Sequence, residues 1–175
     1  MVLVNKSKWV RPAADFVKVN CDTSLDLKNR RKGVRIISRN EEGEALLAVC
    51  DSRRNVQSPK VAESMALWKA MQICNELNIQ KVIFEGDAKT VIMAVKNDEE
   101  ILSLVGPLID DIRNVFKLRK DWFLQFDYRE KNSIAHNLAK AALHLDLEKI
   151  LIEEVPVFIV NNLNFDRRCK HETLL

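Results

Sequence analysis

The chain has 175 residues, 47% hydrophobic and 30% charged, with a net charge of only +3. That length and apolar content suit one domain with its own core and argue against disorder. The weak positive balance permits nucleic-acid binding without arguing for it, and no apolar stretch is long enough to span a bilayer.

Three strand-like segments come first, near Phe16–Asp22, Gly33–Arg39 and Glu44–Cys50. In the first, Val17, Val19 and Cys21 alternate with Lys18, Asn20 and Asp22, the period of a half-buried strand. Asn40-Glu41-Glu42-Gly43 is a tight polar link and predicts a hairpin between the second and third strands. A long helix follows from about Pro59 to Leu77, with Ser58 able to cap it and Pro59 at its first position. Its stripe of Ala62, Ala66, Ala70, Ile73 and Leu77 brings the helix close to a sheet. Lys81–Gly86 reads as a strand, the residues after Asp87 as a helix to about Val95, and Leu104–Leu118 as a helix with Pro107 in its first turn. Trp122–Tyr128 reads as a strand, and a final helix starts near Asn132 or Ser133. A hairpin followed by alternating helices and strands predicts an α/β mixed sheet with helices on its faces. We expect residues 1–8 to be a linker, 9–146 the domain, and 147–175 an extended arm packing on it that ends in disorder.

Three acids occupy positions that such a sheet gathers. Asp22 and Asp87 fall at strand carboxyl ends, where ligand sites form in parallel sheets, and Glu63 lies early in the long helix. Singly, each has a bland reading: a turn-capping aspartate, a complement to the helix dipole, and a helix N-cap. Together they make a carboxylate cluster that repels itself unless cations occupy it, which points to divalent metal and phosphoryl chemistry.

Four cysteines, Cys21, Cys50, Cys74 and Cys169, have no paired spacing, so neither a disulfide framework nor a zinc site is expected. With no signal-peptide pattern at the N-terminus, the expectation is a reduced, intracellular setting. Basic residues cluster at Arg30-Arg31-Lys32, at Arg53-Arg54, around Lys117 and at Arg167-Arg168. Each cluster taken alone reads first as a solvated face. Trp68 and Trp122 sit in helix and strand patterns and read as core rather than stacking platforms.

The sequence resembles the ribonuclease H-like domain found in many plant proteins, related to the ribonuclease H of retroelements. The matching pieces are Trp9 with Pro12, Val17–Asp22, Gly33, Arg39 through Gly43, and Ala62-Glu63-Ser64 with Ala66-Leu67. They continue with Phe84-Glu85-Gly86-Asp87, Arg129–Asn132, Ala135–Lys140, Val155-Pro156 and Asn164–Asp166, and so cover nearly all of Trp9 to Asp166. The resemblance implies a five-stranded sheet of order 3-2-1-4-5 with strand 2 antiparallel. It implies a monomeric endonuclease that cleaves the RNA strand of RNA–DNA hybrids with two Mg2+ or Mn2+ ions. The family's metal-binding and catalytic acids carry over to Asp22, Glu63 and Asp87, and its fourth acidic position to His136.

Three departures bear on activity. Thr23 stands where the family often has glycine after the first aspartate, which restricts close approach of a substrate backbone. Arg35 replaces a second frequent glycine, where a large cation either contacts phosphate or blocks the groove. His136, in the first turn of a helix whose dipole disfavours its protonation, is either a metal ligand better suited to manganese or zinc than to magnesium, or a simple helix cap. No histidine lies between Asp87 and His136, where some ribonucleases H carry a mobile one, so turnover is expected to be slow. Two other functions stay open: a nucleic-acid-binding module that no longer cuts, and a protein-interaction domain presenting Val157–Val160.

Overall fold

The computed structural model describes residues 9–26, 28–55, 58–98, 100–101, 103–128 and 149–152. Its elements run β1 (Val17–Asp26), β2 (Arg31–Arg39), β3 (Ala45–Arg54), α1 (Pro59–Glu76), β4 (Val82–Gly86), α2 (Lys89–Lys96), α3 (Gly106–Leu118), β5 (Trp122–Phe126) and β6 (Lys149–Ile152). The expected final helix near Asn132, with Arg129 and His136, lies outside the described residues, as do Val157–Val160 and Cys169.

The sheet order is β5-β4-β1-β2-β3-β6. Five strands therefore stand in the expected order 3-2-1-4-5, and β6 adds a sixth, antiparallel to β3. β2 is antiparallel to β1 and β3, whereas β4 is parallel to β1 and β5. The β2–β3 hairpin closes on Asn40, whose side-chain oxygen accepts from the backbone N–H groups of Glu42 and Glu44. Gly43 supplies the turn's positive φ of 80°.

Alternation assigns the two faces of β1. Val19 and Cys21 join Val34, Ile36, Leu47 and Val49 in a core closed by Ala66, Ala70 and Met71 of α1. Ala62, Ala66 and Ala70 are fully buried, so small side chains let α1 lie close on the sheet. Phe84 anchors the β4 side, edge-on to Trp122 and Phe116 with ring centroids 5.2 and 5.9 Å away. Gly106 starts α3 where a Cβ would come within 2.2 Å of the Ile101 carbonyl oxygen, so only glycine fits that turn. Cys21, Cys50 and Cys74 are buried thiols outside any disulfide, and burial pushes the Cys74 thiol up to about 12.

β1 does not stop at Asp22. Its ladder with β2 runs on to the Asp26–Arg31 pair, because an antiparallel neighbour supports the strand up to the connecting turn. On its other side the parallel ladder with β4 ends at the Asn20–Glu85 pair. Asp22 is thus mid-strand toward β2 and past the last paired residue toward β4, which opens the sheet beside it.

Candidate metal centre

Asp22, Glu63 and Asp87 converge. One carboxylate oxygen from each lies within 4.8 Å of the others, with Asp22 buried and Glu63 and Asp87 half-buried. Three elements produce this meeting. β1 and β4 run parallel, so residues just beyond the Asn20–Glu85 pair emerge side by side. α1 brings Glu63 in from above; Ser58 caps the helix, its Oγ accepting from the Val61 N–H at 3.4 Å. The N-cap position of α2 is Ala88 rather than Asp87, and it makes no side-chain cap bond. Gly86 is not demanded by close approach either, since a Cβ there would meet the Cys21 carbonyl oxygen at an ordinary 3.5 Å.

Thr23 organises the cluster. Its hydroxyl donates a short hydrogen bond to Glu63 Oε1, and its backbone N–H donates to Asp22 Oδ1 at 2.8 Å. One residue therefore steadies two of the three acids. The sequence alone suggests only that Thr23 is bulkier than glycine; its bonding role depends on β1 continuing past Asp22, which orients the Thr23 side chain toward α1. Arg35 is fully buried, so it is not a side chain of an open groove and neither reaches out to phosphate nor blocks a substrate there.

The field of the cluster registers on its neighbour. The Cys21 thiol is pushed well above its ordinary range, chiefly by burial and then by the charges of Glu63, Asp22 and Asp87. The donor set is all carboxylate oxygen, the choice of hard cations such as magnesium, calcium and manganese. An ion binding at its usual ~2.1–2.5 Å holds two oxygens no more than about 4–5 Å apart, so the observed spacing fits one shared ion.

A further acid, Glu85, stands two residues before Asp87, on β4. Glu85 is 1% exposed, and Lys18 Nζ lies 3.1 Å from its Oε2. Asn20 donates to Glu85 Oε1 at 2.8 Å and Gln125 to Oε2 at 2.7 Å. Asn20 Oδ1 in turn accepts from Trp9 Nε1 at 3.1 Å and Arg39 Nη2 at 2.9 Å. The Arg39 guanidinium stacks 3.6 Å from the Trp9 ring centroid. Sequence reasoning passed over this network. The only local sign of it was that Asn20 and Glu85 share the polar phase of their strands.

The reverse transcriptase-like family model matches residues 20–142. No functionally curated relative matches the sequence. Among solved structures, ribonuclease H1 from the halophilic archaeon Halobacterium salinarum NRC-1 superposes with a TM-score of 0.63 at 18% identity, over 73% of this chain and 97% of that one. LC11 ribonuclease H1, a compost metagenome protein solved in complex with an RNA/DNA hybrid, gives 0.64 at 16% identity, over 73% and 96%. The N-terminal ribonuclease H domain of a Mycobacterium tuberculosis protein gives 0.64 at 15% identity, over 73% and 93%. At these identities the likeness is one of fold. No helix among the described residues is long and apolar enough to cross a membrane.

Proposed function

Because this chain belongs to the reverse transcriptase-like family, we propose that it is a metal-dependent endonuclease that cleaves the RNA strand of RNA–DNA hybrids. The observation that carries this reading is the convergence of Asp22, Glu63 and Asp87 at the open end of two parallel strands. The complex of a fold relative with an RNA/DNA hybrid supports the substrate class.

Asp22, central in the sheet, would hold the divalent ions together with Glu63, Asp87 and His136. Divalent ions bound there supply an activated water and charge stabilisation of the leaving oxygen. Thr23 holds the Glu63 carboxylate in one orientation and fixes one oxygen of Asp22, leaving the remaining oxygens to ligate. The hybrid would be recognised by backbone shape and 2′-hydroxyls rather than by base sequence.

The test is a hybrid-cleavage assay with magnesium and with manganese. Wild-type protein should cut the RNA strand, and Asp87→Asn should lower the rate by about 100-fold or more. Absence of cleavage by the wild type, or equal cleavage by the variant, overturns the reading. His136→Asp should raise the magnesium-dependent rate. A second reading, binding without cutting, is favoured by the Thr23 side chain standing where a glycine would leave the backbone bare. It predicts hybrid binding with a steep salt dependence and no product.

A further inference from the structure

Two basic segments that are far apart in sequence meet in the sheet. Arg31 pairs directly with Arg54, and Lys32 with Arg53. Like charges placed opposite each other in a ladder destabilise it. Asp51 lies beside this pair, accepting from Arg53 Nε at 2.9 Å. Behind the ladder, between α1 and the ends of β2 and β3, lies a pocket of about 100 Å³ lined by Lys32, Asp51, Arg53, Trp68, Lys69 and Gln72.

Lys32 is the unusual member. It is 1% exposed, and its ammonium meets the Met65 sulfur at 3.4 Å, a weak acceptor for a full charge. Burial, then the neighbouring Arg53, holds its amine down to about 8. A buried ammonium against a thioether is costly in the free protein, and the charges of Asp51 and Glu63 offset that cost only in part, since the amine is still held down. An anion entering the pocket would offset that cost and relieve the Lys32–Arg53 repulsion together.

Position narrows the choice of anion. Lys32 and Val34 lie on the α1 face of β2, and Val34 pairs with Thr23, whose hydroxyl holds Glu63. Lys32 itself pairs with Leu25, three residues along β1 from Asp22, so the pocket flanks the acid cluster at roughly 10–15 Å. A phosphate group has enough acceptor oxygens to engage an ammonium, a guanidinium and the Gln72 amide at once. We propose that this pocket seats a phosphate group on Lys32, with Arg53 and Gln72 at its rim, and that the phosphate is a backbone phosphate of the nucleic acid lying across Asp22, Glu63 and Asp87. The second half rests on the nuclease reading; the pocket itself does not.

The test measures two probes, inorganic phosphate and an RNA–DNA hybrid, on wild type, Lys32→Met and Arg53→Gln. Phosphate binding is read from the NMR shift of the Trp68 indole, hybrid binding from affinity as a function of salt. Arg53 is exposed at the rim, so its variant keeps the test valid if Lys32→Met does not fold. The proposal expects phosphate to shift the Trp68 signal in wild type and not in Lys32→Met. It expects hybrid affinity to fall by about 10-fold in either variant, with a salt slope smaller by about one ion. Hybrid binding that is equal in all three proteins leaves the nuclease reading intact and overturns the assignment to a backbone phosphate. A Lys32-dependent phosphate shift without any hybrid binding keeps the pocket as a free-phosphate site and removes the nucleic acid. Silence toward both probes overturns the proposal.

Discussion

Glu85 lies on β4 and Asp87 two residues on, just past its end, while Asn20 and Asp22 stand two residues apart on the strand beside it, yet the two levels behave as opposites. At the Glu85 level the negative charge is met from within the chain, by Lys18 at 3.1 Å and by amide donors from Asn20 and Gln125. At the Asp22 level three carboxylates turn toward one another within 4.8 Å. The first arrangement holds β1, β4 and β5 together; the second concentrates charge that a cation from solution would neutralise. Burial does not separate the two levels, since Glu85 and Asp22 are each 1% exposed. Convergence of like charge does.

The contrast breaks most visibly if Glu85 is removed. Glu85→Ala takes the carboxylate from a buried ammonium, which keeps only the Val10 carbonyl and the Trp9 ring, and from two amides, and should cost about 3–5 kcal/mol of stability, measured by urea unfolding. Asp22→Asn, one level away and equally buried, should leave stability unchanged or raise it by up to ~1 kcal/mol, because it relieves repulsion. A mild Glu85→Ala would mean that the network is dispensable and the comparison false.

Cations sharpen the same contrast. Manganese at 100 times its dissociation constant should stabilise the wild type by about 2.7 kcal/mol, seen as a rise in unfolding midpoint. Asp22→Asn should lose that response. A milder change at the Glu85 level, Glu85→Gln, should keep it despite lower starting stability. Smaller again is Trp9→Phe, which deletes the N–H that Asn20 accepts while keeping a ring for Arg39. It should cost about 1–2 kcal/mol, with the manganese response unaltered.

How much of this was legible depends on how far apart the partners lie in the chain. The three acids could be read because strand alternation and helix start are local patterns, and each acid sits at a recognisable place within one. The Glu85 level was not legible, since Asn20 and Glu85 are 65 residues apart and Gln125 and Glu85 are 40 apart. Nothing near Phe84-Glu85 announces that its acid is closed off while that of Gly86-Asp87 is not. The pairing of Arg31 with Arg54 and Lys32 with Arg53 was hidden for the same reason, and each cluster looked like a separate solvated face until the register joined them. Alternation predicts β1 four residues short because it fades into polar residues after Cys21, while the β2 ladder continues regardless. His136 lies outside the described residues, so its relation to the acids stays a proposal with its own test.

The finest test of the two levels is Thr23, which belongs to the acid cluster but acts as the donors around Glu85 do. Thr23→Val removes the hydroxyl that holds Glu63 at nearly constant volume. Stability should change by about 1 kcal/mol or less, whereas manganese affinity should fall by about 10-fold, read by calorimetric titration. Thr23→Ser should restore it. Thr23→Gly then separates two effects that Val cannot, because it deletes the hydroxyl and also bares the backbone beside the cluster. If Gly weakens the metal as Val does and hybrid cleavage falls in step, Thr23 serves by orienting Glu63. If cleavage rises although metal affinity falls, the side chain was limiting the approach of substrate, and the role assigned here to the hydroxyl is secondary to its bulk.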